Sequence, residues 1–172
     1  MSTLEITAPA QTIAEFDVAR QRELVRKAIA KHSFCTLATT STELRPHVVG
    51  VRYAHIGGAL YVTMFDESIK VRNIRENARV AVCIPVKKHP LVPPYAVQFQ
   101  GTAELLSRTD PRIVELFEAG RLKGIISKKD YEDPHTIFAR ITPGKRVSTY
   151  GIGVSLVQIV REPPSAIRSV AW

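Results

Sequence analysis

The sequence is poor in the residues that staple a chain together or do covalent chemistry. It holds two cysteines, Cys35 and Cys83, each inside an apolar run that reads as strand. They read as buried thiols of a reducing compartment, not as a disulfide framework or a metal site. His32, His55 and His135 show no metal-ligand spacing either, so no metal is expected. No apolar run reaches the roughly 20 residues that span a membrane. The first residues lack the basic-then-apolar order of a secretory leader, so a cytoplasmic protein with no membrane partner is expected. No nucleophile–base pair and no pair of carboxylates stands out. Catalytic residues are therefore unassigned, and the pattern suits chemistry that a bound cofactor performs. There is no internal repeat and no low-complexity tract.

What is present fits one globular domain. The 172 residues are 45% hydrophobic and 23% charged, enough to bury a single core. The formal net charge is +8, which suits an anionic partner: a nucleic acid, a phosphorylated cofactor or an acidic lipid surface. Solvated surface charge explains the same excess. Nucleic acid ranks last and is not expected as a partner, because no reading helix or aromatic code is identifiable.

In chain order, residues 1–11 are small and polar and read as a flexible arm. Thr12-Ile13-Ala14-Glu15 has capping-box spacing. It opens a helix to about Ala30 with an apolar stripe of Ile13, Phe16, Leu24, Val25, Ala28 and Ile29. Phe34–Thr40 reads as the first strand and Ser41–Leu44 as a turn. A second strand from Arg45 to Tyr53, a Gly57-Gly58 turn and a third strand from Ala59 to Met64 form a hairpin. Asp66 or Glu67 then starts a short basic helix carrying Lys70, Arg72 and Arg75, followed by a strand over Arg79–Ile84. Prolines 90, 93 and 94 make Lys87–Pro94 a stiff loop. Tyr95–Leu106 is a long strand in which Gly101 marks a bulge or a close backbone approach. Asp110 caps a second helix with Pro111 in its first turn, and Ile113, Leu116, Phe117 and Leu122 form its buried face. Gly124–Pro134 reads as a basic connector. Thr136–Ile141 is a strand ended by Pro143-Gly144, and Arg146–Tyr150 a separate short one. Val154–Val160 is a strand or docked arm, and residues 161–172 are a tail that wraps a neighbour or stays mobile. Six or seven strands with few helices imply an antiparallel sheet closed on itself.

The pieces Arg45-Pro46-His47, Ser68-x-Lys70-Val71-Arg72-Asn73-Ile74, Asn77-Ala78-Arg79-Val80-Ala81, Gln100-Gly101-Thr102-Ala103 and Ile141-Thr142-Pro143 occur in an order that resembles the pyridoxamine-phosphate-oxidase-like split barrels. That superfamily contains FMN-binding oxidases and reductases and enzymes using the deazaflavin F420. The resemblance covers roughly residues 30 to 150. It implies a mainly β (α+β) fold, a six-stranded antiparallel split β-barrel with a few peripheral helices, here placed over residues 12–160 between the arm and the tail. It implies a homodimer with cofactor sites at the interface. His47, Val48, Val49 and Gly50 would line the cofactor ring, Thr63 and Met64 would approach the ribityl chain or phosphate, and Ser68, Ile69 and Lys70 fall where the phosphate is held. Gln100 joins this set through its motif.

Some positions depart from the family pattern. Ile69 stands where many FMN oxidases carry Arg, His47 where the vitamin-forming oxidases carry a more strongly basic residue, and Ala96 where those enzymes touch the flavin through glutamine. The segment between Thr63 and Ser68 is one residue longer. These departures point away from the vitamin oxidase reaction. The lost Arg and the positive charge lean toward F420, with its phosphodiester and oligoglutamate tail, whereas FMN is the more common ligand; both stay open. The implied function is hydride transfer between FMN or F420 and a small organic substrate. The alternative is a non-catalytic module that carries, stores or senses a cofactor, haem or another ligand. At single positions the competing readings are plain. Lys70 binds the phosphate or is a solvated helix lysine. Arg72 pairs with Glu76 at i,i+4. His47 meets the ring or phosphate or sits on a half-buried strand. Lys87-Lys88-His89 gates the groove or only solvates it, and Tyr61, Tyr95 and Phe99 belong to core or interface.

Overall fold

A computed structural model describes residues 17–86 and 95–172. The Thr12–Glu15 capping box, Ile13, Phe16 and the Lys87–Pro94 loop lie outside the described residues. Helix α1 (Val18–Lys31) is capped by Asp17, whose carboxylate accepts the Arg20 N–H. Val25 and Ile29 of the expected stripe are buried, and Leu24 and Ala28 pack at the core's edge. Gln21 is buried beside them, donating through its amide to Thr149 Oγ1 at 3.0 Å and to the Ile152 carbonyl at 2.9 Å. No described helix is long and apolar enough to cross a membrane.

The strands are β1 (Phe34–Thr40), β2 (Pro46–Arg52), β3 (Ala54–Ile56), β4 (Ala59–Phe65), β5 (Arg79–Val86), β6 (Tyr95–Ser107), β7 (Thr136–Tyr150) and β8 (Ile167–Ala171), all paired antiparallel in the order β2-β1-β5-β6-β7-β4-β3, with β8 on β7. The two ends of this path, β2 and β3, are halves of one strand bent at Tyr53. The first half pairs with β1, the second with β4. Counted once, the bent strand makes a six-stranded barrel, with β8 added outside. Tyr53 fixes the corner: it is 2% exposed, its N–H donates to the Ser33 carbonyl at 2.8 Å, and its hydroxyl donates to the Ile29 carbonyl at 2.7 Å. The following turn uses Gly57 and Gly58 at φ +59° and +80°, a region that favours glycine.

Gly101 is both a bulge and a close approach. The register jumps from Phe99↔Val147 to Gly101↔Pro143, so a single β6 residue faces the three β7 residues 144–146. A Cβ on Gly101 would collide with the Thr142 carbonyl oxygen, and one on Gly144 would lie 2.9 Å from the Gln100 carbonyl oxygen. The bulge absorbs Pro143-Gly144, so β7 continues over 15 residues. The expected break into two strands is corrected accordingly.

Three other expectations change. The connector after α3 (Pro111–Glu118) contains a short helix, α4 (Lys128–Glu132), capped by Ser127. Residues 156–161 are helix α5, capped by Ser155, and not a strand. The tail forms a 3-10 turn (Pro163–Ala166) and then β8. Tyr61, Tyr95 and Phe99 are all buried. A second, smaller apolar cluster holds Ile113, Leu122 and Phe138, with Leu116 and Phe117 at its edge. There the Phe117 and Tyr131 rings stack with centroids 3.7 Å apart.

Tyr53→Phe removes the corner hydroxyl and leaves the Ile29 carbonyl without its donor. It should cost about 1–3 kcal/mol, read as a lower urea midpoint at unchanged slope. An unchanged midpoint would mean that packing alone holds the corner.

Candidate cofactor site

Directly opposed residues of paired strands share a face. Starting from Val48 on β2, the register carries one outer face across the sheet: Val48 opposite Ala38, Ala38 opposite Ala81, Ala81 opposite Gln100. One step along, Gly50, Thr36, Cys83, Gln98 and Ser148 form a second row. These rows floor a groove of about 760 Å³, within the size range of small-molecule sites. Apart from Gln98 and Gln100, the two rows carry small side chains, which suits a flat ligand. The β7 bulge brings Gly144, Lys145 and Arg146 to the groove, so its wall carries two exposed cations.

The other side of β2 faces a cleft of about 470 Å³ lined by Arg45, His47, Ile69, Arg72, Asn73 and Glu76. Its far wall is helix α2 (Ile69–Glu76), pinned to β1 by a buried hydrogen bond from Asn73 Nδ2 to Thr39 Oγ1 at 3.1 Å. Among the described residues Arg72 makes no ion pair with Glu76; the Glu76 carboxylate instead accepts from Thr42 at 3.4 Å. Arg75 is engaged with Asp66 at 3.7 Å.

Helix α2 starts at Ile69, not at Asp66 or Glu67. The Asp66 N–H is drawn to the His135 carbonyl at 3.0 Å, which prolongs the β4–β7 ladder, and the Ser68 N–H closes a turn onto Phe65. Ser68 is the residue before the helix, but its hydroxyl donates to the Phe65 carbonyl at 2.6 Å and caps nothing. Each of the other four described α-helices has a side-chain cap, supplied by Asp17, Asp110, Ser127 and Ser155. The first intrahelical bonds of α2 come from Val71 and Arg72, so the Ile69 and Lys70 amides stand ahead of them at the positive end of the helix. Lys70 is half-buried and has no ion-pair partner among the described residues. Burial lowers its pKa, so the ammonium sits where a counter-ion would relieve it.

The predicted residues therefore divide. Val48 and Gln100 line the groove, and Gly50 lies on its face, where a Cβ would press on the Phe34 ring. His47 and Ile69 line the cleft, with Ser68 and Lys70 at the start of α2. Val49 alternates away from the groove, opposite the buried Leu37. The Thr63 hydroxyl donates to the Ile125 carbonyl, and the Met64 side chain is in the core, and neither residue lines the groove or the cleft. Thr36, Cys83, Gln98, Lys145 and Arg146 were missed by the sequence reading. Tracing the alternation of β2 through its pairing partners would have found the first three. Burial raises the Cys83 pKa and pushes the Cys35 thiol up to about 12, so neither is a nucleophile at pH 7. Asp66, Glu67 and His135 bring donor atoms within 4.8 Å of one another at the surface, a grouping across two strand ends that sequence spacing does not reveal.

The family profile described as pyridoxamine 5'-phosphate oxidase matches residues 22–145. Comparison with curated proteins gives no match. Among solved structures, the chain is similar to a haem-binding protein from Mycobacterium smegmatis, at 22% identity and a TM-score of 0.68 over 88% of this chain. It spans only 57% of that protein. It is also similar to HutZ, the haem storage protein from Vibrio cholerae, at 16% identity and a TM-score of 0.65, over 78% of this chain and 95% of that one. An FAD-binding protein from Mesorhizobium loti matches at 23% identity and a TM-score of 0.57, over 73% and 90%. At these identities the likeness is one of fold.

Asn73→Ala should cost about 1–3 kcal/mol in urea unfolding, because Thr39 loses a buried partner. In a double-mutant cycle with Thr39→Val the two losses should fall short of additivity by about 0.5–3 kcal/mol. Strict additivity would mean that the bond does not position α2.

Proposed function

Since the chain belongs to the pyridoxamine 5'-phosphate oxidase family, we propose that it binds a flavin-type cofactor, FMN or F420, and passes hydride between that cofactor and a small organic substrate. The observation that carries the reading is the half-buried Lys70 ammonium, without a counter-ion among the described residues, beside the uncapped start of α2. A half-buried cation and free helix amides together suit a phosphate. The small-residue floor suits a planar ring, with Gln98 and Gln100 offering hydrogen bonds to its polar edge and Lys145 and Arg146 supplying further positive charge. When bound, the cofactor supplies the hydride-carrying ring. The protein's part is to hold the phosphate, keep the ring flat and leave one ring face open. Ile69 contributes no charge, so Lys70 carries more of the phosphate's charge than it would beside an arginine. The outer sheet face leaves Val48 and Phe34 exposed at 60% and 49%, and a second copy of the chain covering it would complete a homodimer with a cofactor at the interface.

A second reading, haem or ligand storage without turnover, draws on the fold likeness to haem-binding proteins. Against it, the described residues lining the groove include no histidine, and the Cys83 thiol is held protonated.

Titration of the purified protein with FMN, F420 and haemin separates these readings. FMN or F420 should bind with Kd below about 100 μM, roughly −5.5 kcal/mol. Binding of haemin alone would overturn the redox reading in favour of storage. Lys70→Ala should weaken cofactor binding about ten- to a hundredfold, the equivalent of one charge-assisted hydrogen bond of about 1.5–3 kcal/mol. Its thermal midpoint should not fall, because burial already disfavours the charge. Unchanged affinity would remove Lys70 from the site.

A further inference from the structure

The outer groove carries charge of one sign only. Among the described residues its lining holds no aspartate, glutamate or histidine, and its two cations, Lys145 and Arg146, stand together on the β7 wall. Both are exposed, and neither has an ion-pair partner among the described residues. Earlier on the same strand, by contrast, Arg140 meets Glu104 at 3.8 Å. A cleft lined by cations without answering carboxylates gathers anions.

The backbone beneath these cations is fixed. Phe99 pairs with Val147 and Gly101 with Pro143, so residues 144–146 are looped out of the β6 ladder. The Lys145 carbonyl accepts the Trp172 N–H at 3.0 Å, and Arg146 pairs with Ala171 of β8. Val147 and Thr149 are buried, so the alternation of β7 puts Arg146 and Ser148 on the groove face. Ser148 Oγ lies 3.3 Å from Ser169 Oγ. One hydroxyl of that pair donates to the other, which leaves the second hydroxyl hydrogen to donate elsewhere.

The cofactor phosphate does not account for this wall. The cleft beside the start of α2 lies on the other side of β2 and shares no lining residue with the groove. In the order β2-β1-β5-β6-β7, β2 and β7 are four strand spacings apart, roughly 19 Å along the sheet. FMN and F420 carry their phosphate on the one side chain that leaves the ring. A phosphate held at Lys70 therefore leaves Lys145 and Arg146 to another anion.

We propose that this anion is the substrate: the small organic molecule that exchanges hydride with the cofactor is a carboxylate. Its acid group lies against Arg146 and Lys145, and its body lies over the open face of the ring. The guanidinium fork suits a carboxylate, and the free hydroxyl hydrogen of the serine pair adds a donor. This inference rests on the cofactor reading above and adds the class of substrate to it.

The full chain is first titrated with FMN and F420, and whichever binds is kept saturating. The loaded protein is then titrated with 2-naphthoate, with 2-naphthamide as the neutral control, and the absorbance of the cofactor ring is followed. Naphthoate should give a saturable difference spectrum and bind at least about tenfold more tightly than the amide, the equivalent of one charge-assisted contact. Added salt should weaken the acid and leave the amide unchanged. Arg146→Ala should weaken naphthoate about tenfold or more, well beyond any change in the cofactor Kd. Arg146→Gln, which keeps an N–H donor without the charge, should fall between the two and serves if the alanine variant fails to fold. Equal binding of acid and amide overturns the proposal. So does an Arg146→Ala variant that loses the cofactor as strongly as it loses naphthoate, because the cations then serve the cofactor. Failure of both FMN and F420 to bind is a different result: it removes the cofactor reading, and the proposal falls with it.

Discussion

At Gly101 the β6 backbone lies against the Thr142 carbonyl with no room for a side chain. Much of the molecule depends on that contact. It permits the register jump in which residues 144–146 of β7 bulge opposite Gln100. The bulge lets β7 run on past Pro143, so that residues 147–150 can pair with β6 on one side and β8 on the other. It also turns Lys145 and Arg146 toward the groove and leaves the Lys145 carbonyl free to receive the Trp172 N–H. One steric constraint thus sets the groove's charge and the anchoring of the last strand. The Tyr53 corner does comparable work at the opposite seam, where a single bent strand joins the two ends of the sheet.

Charge placement follows the same economy of parts. One cation on each of α2 and α3 is already answered: Arg75 by Asp66, and Arg112 by Glu104 and Asp110. Such exposed pairs contribute little to stability. Lys70 differs because it is half-buried and unanswered within the described residues. Desolvating an ammonium without a partner opposes folding, and a bound anion would relieve the penalty. The uncapped start of α2 adds backbone dipoles at the same point.

Much of this was legible in the sequence where local chemistry decides the outcome. Asp110-Pro111 opens α3, Gly57-Gly58 makes the hairpin turn, and Gly101 marks the bulge. The reading failed where a distant strand decides. Pro143-Gly144 looks like a strand end, and only pairing with β6 shows it to be a bulge. Asp66 looks like a helix cap until its N–H is claimed by His135. The final strand is short and carries Arg168 and Ser169, so nothing local marks it as part of a sheet. The site shows the same division. His47 to Gly50 reads as one lining run, but the period of two sends Val48 to the groove and His47 to the cleft behind it. Lys145 and Arg146 reach the groove through the bulge and could not be assigned before its register was known.

The central claim is that the cofactor lies on the outer sheet face between Val48 and Ser148. Cys83 reports on it directly, because its thiol lines that groove whereas Cys35 lies in the core. Alkylation of the native protein at alkaline pH, read by peptide mass spectrometry, follows both thiols. Saturating FMN or F420, whichever binds, should slow labelling of Cys83 and leave Cys35 unlabelled throughout. Labelling of Cys83 at the same rate with the cofactor bound would place the cofactor elsewhere and contradict the account.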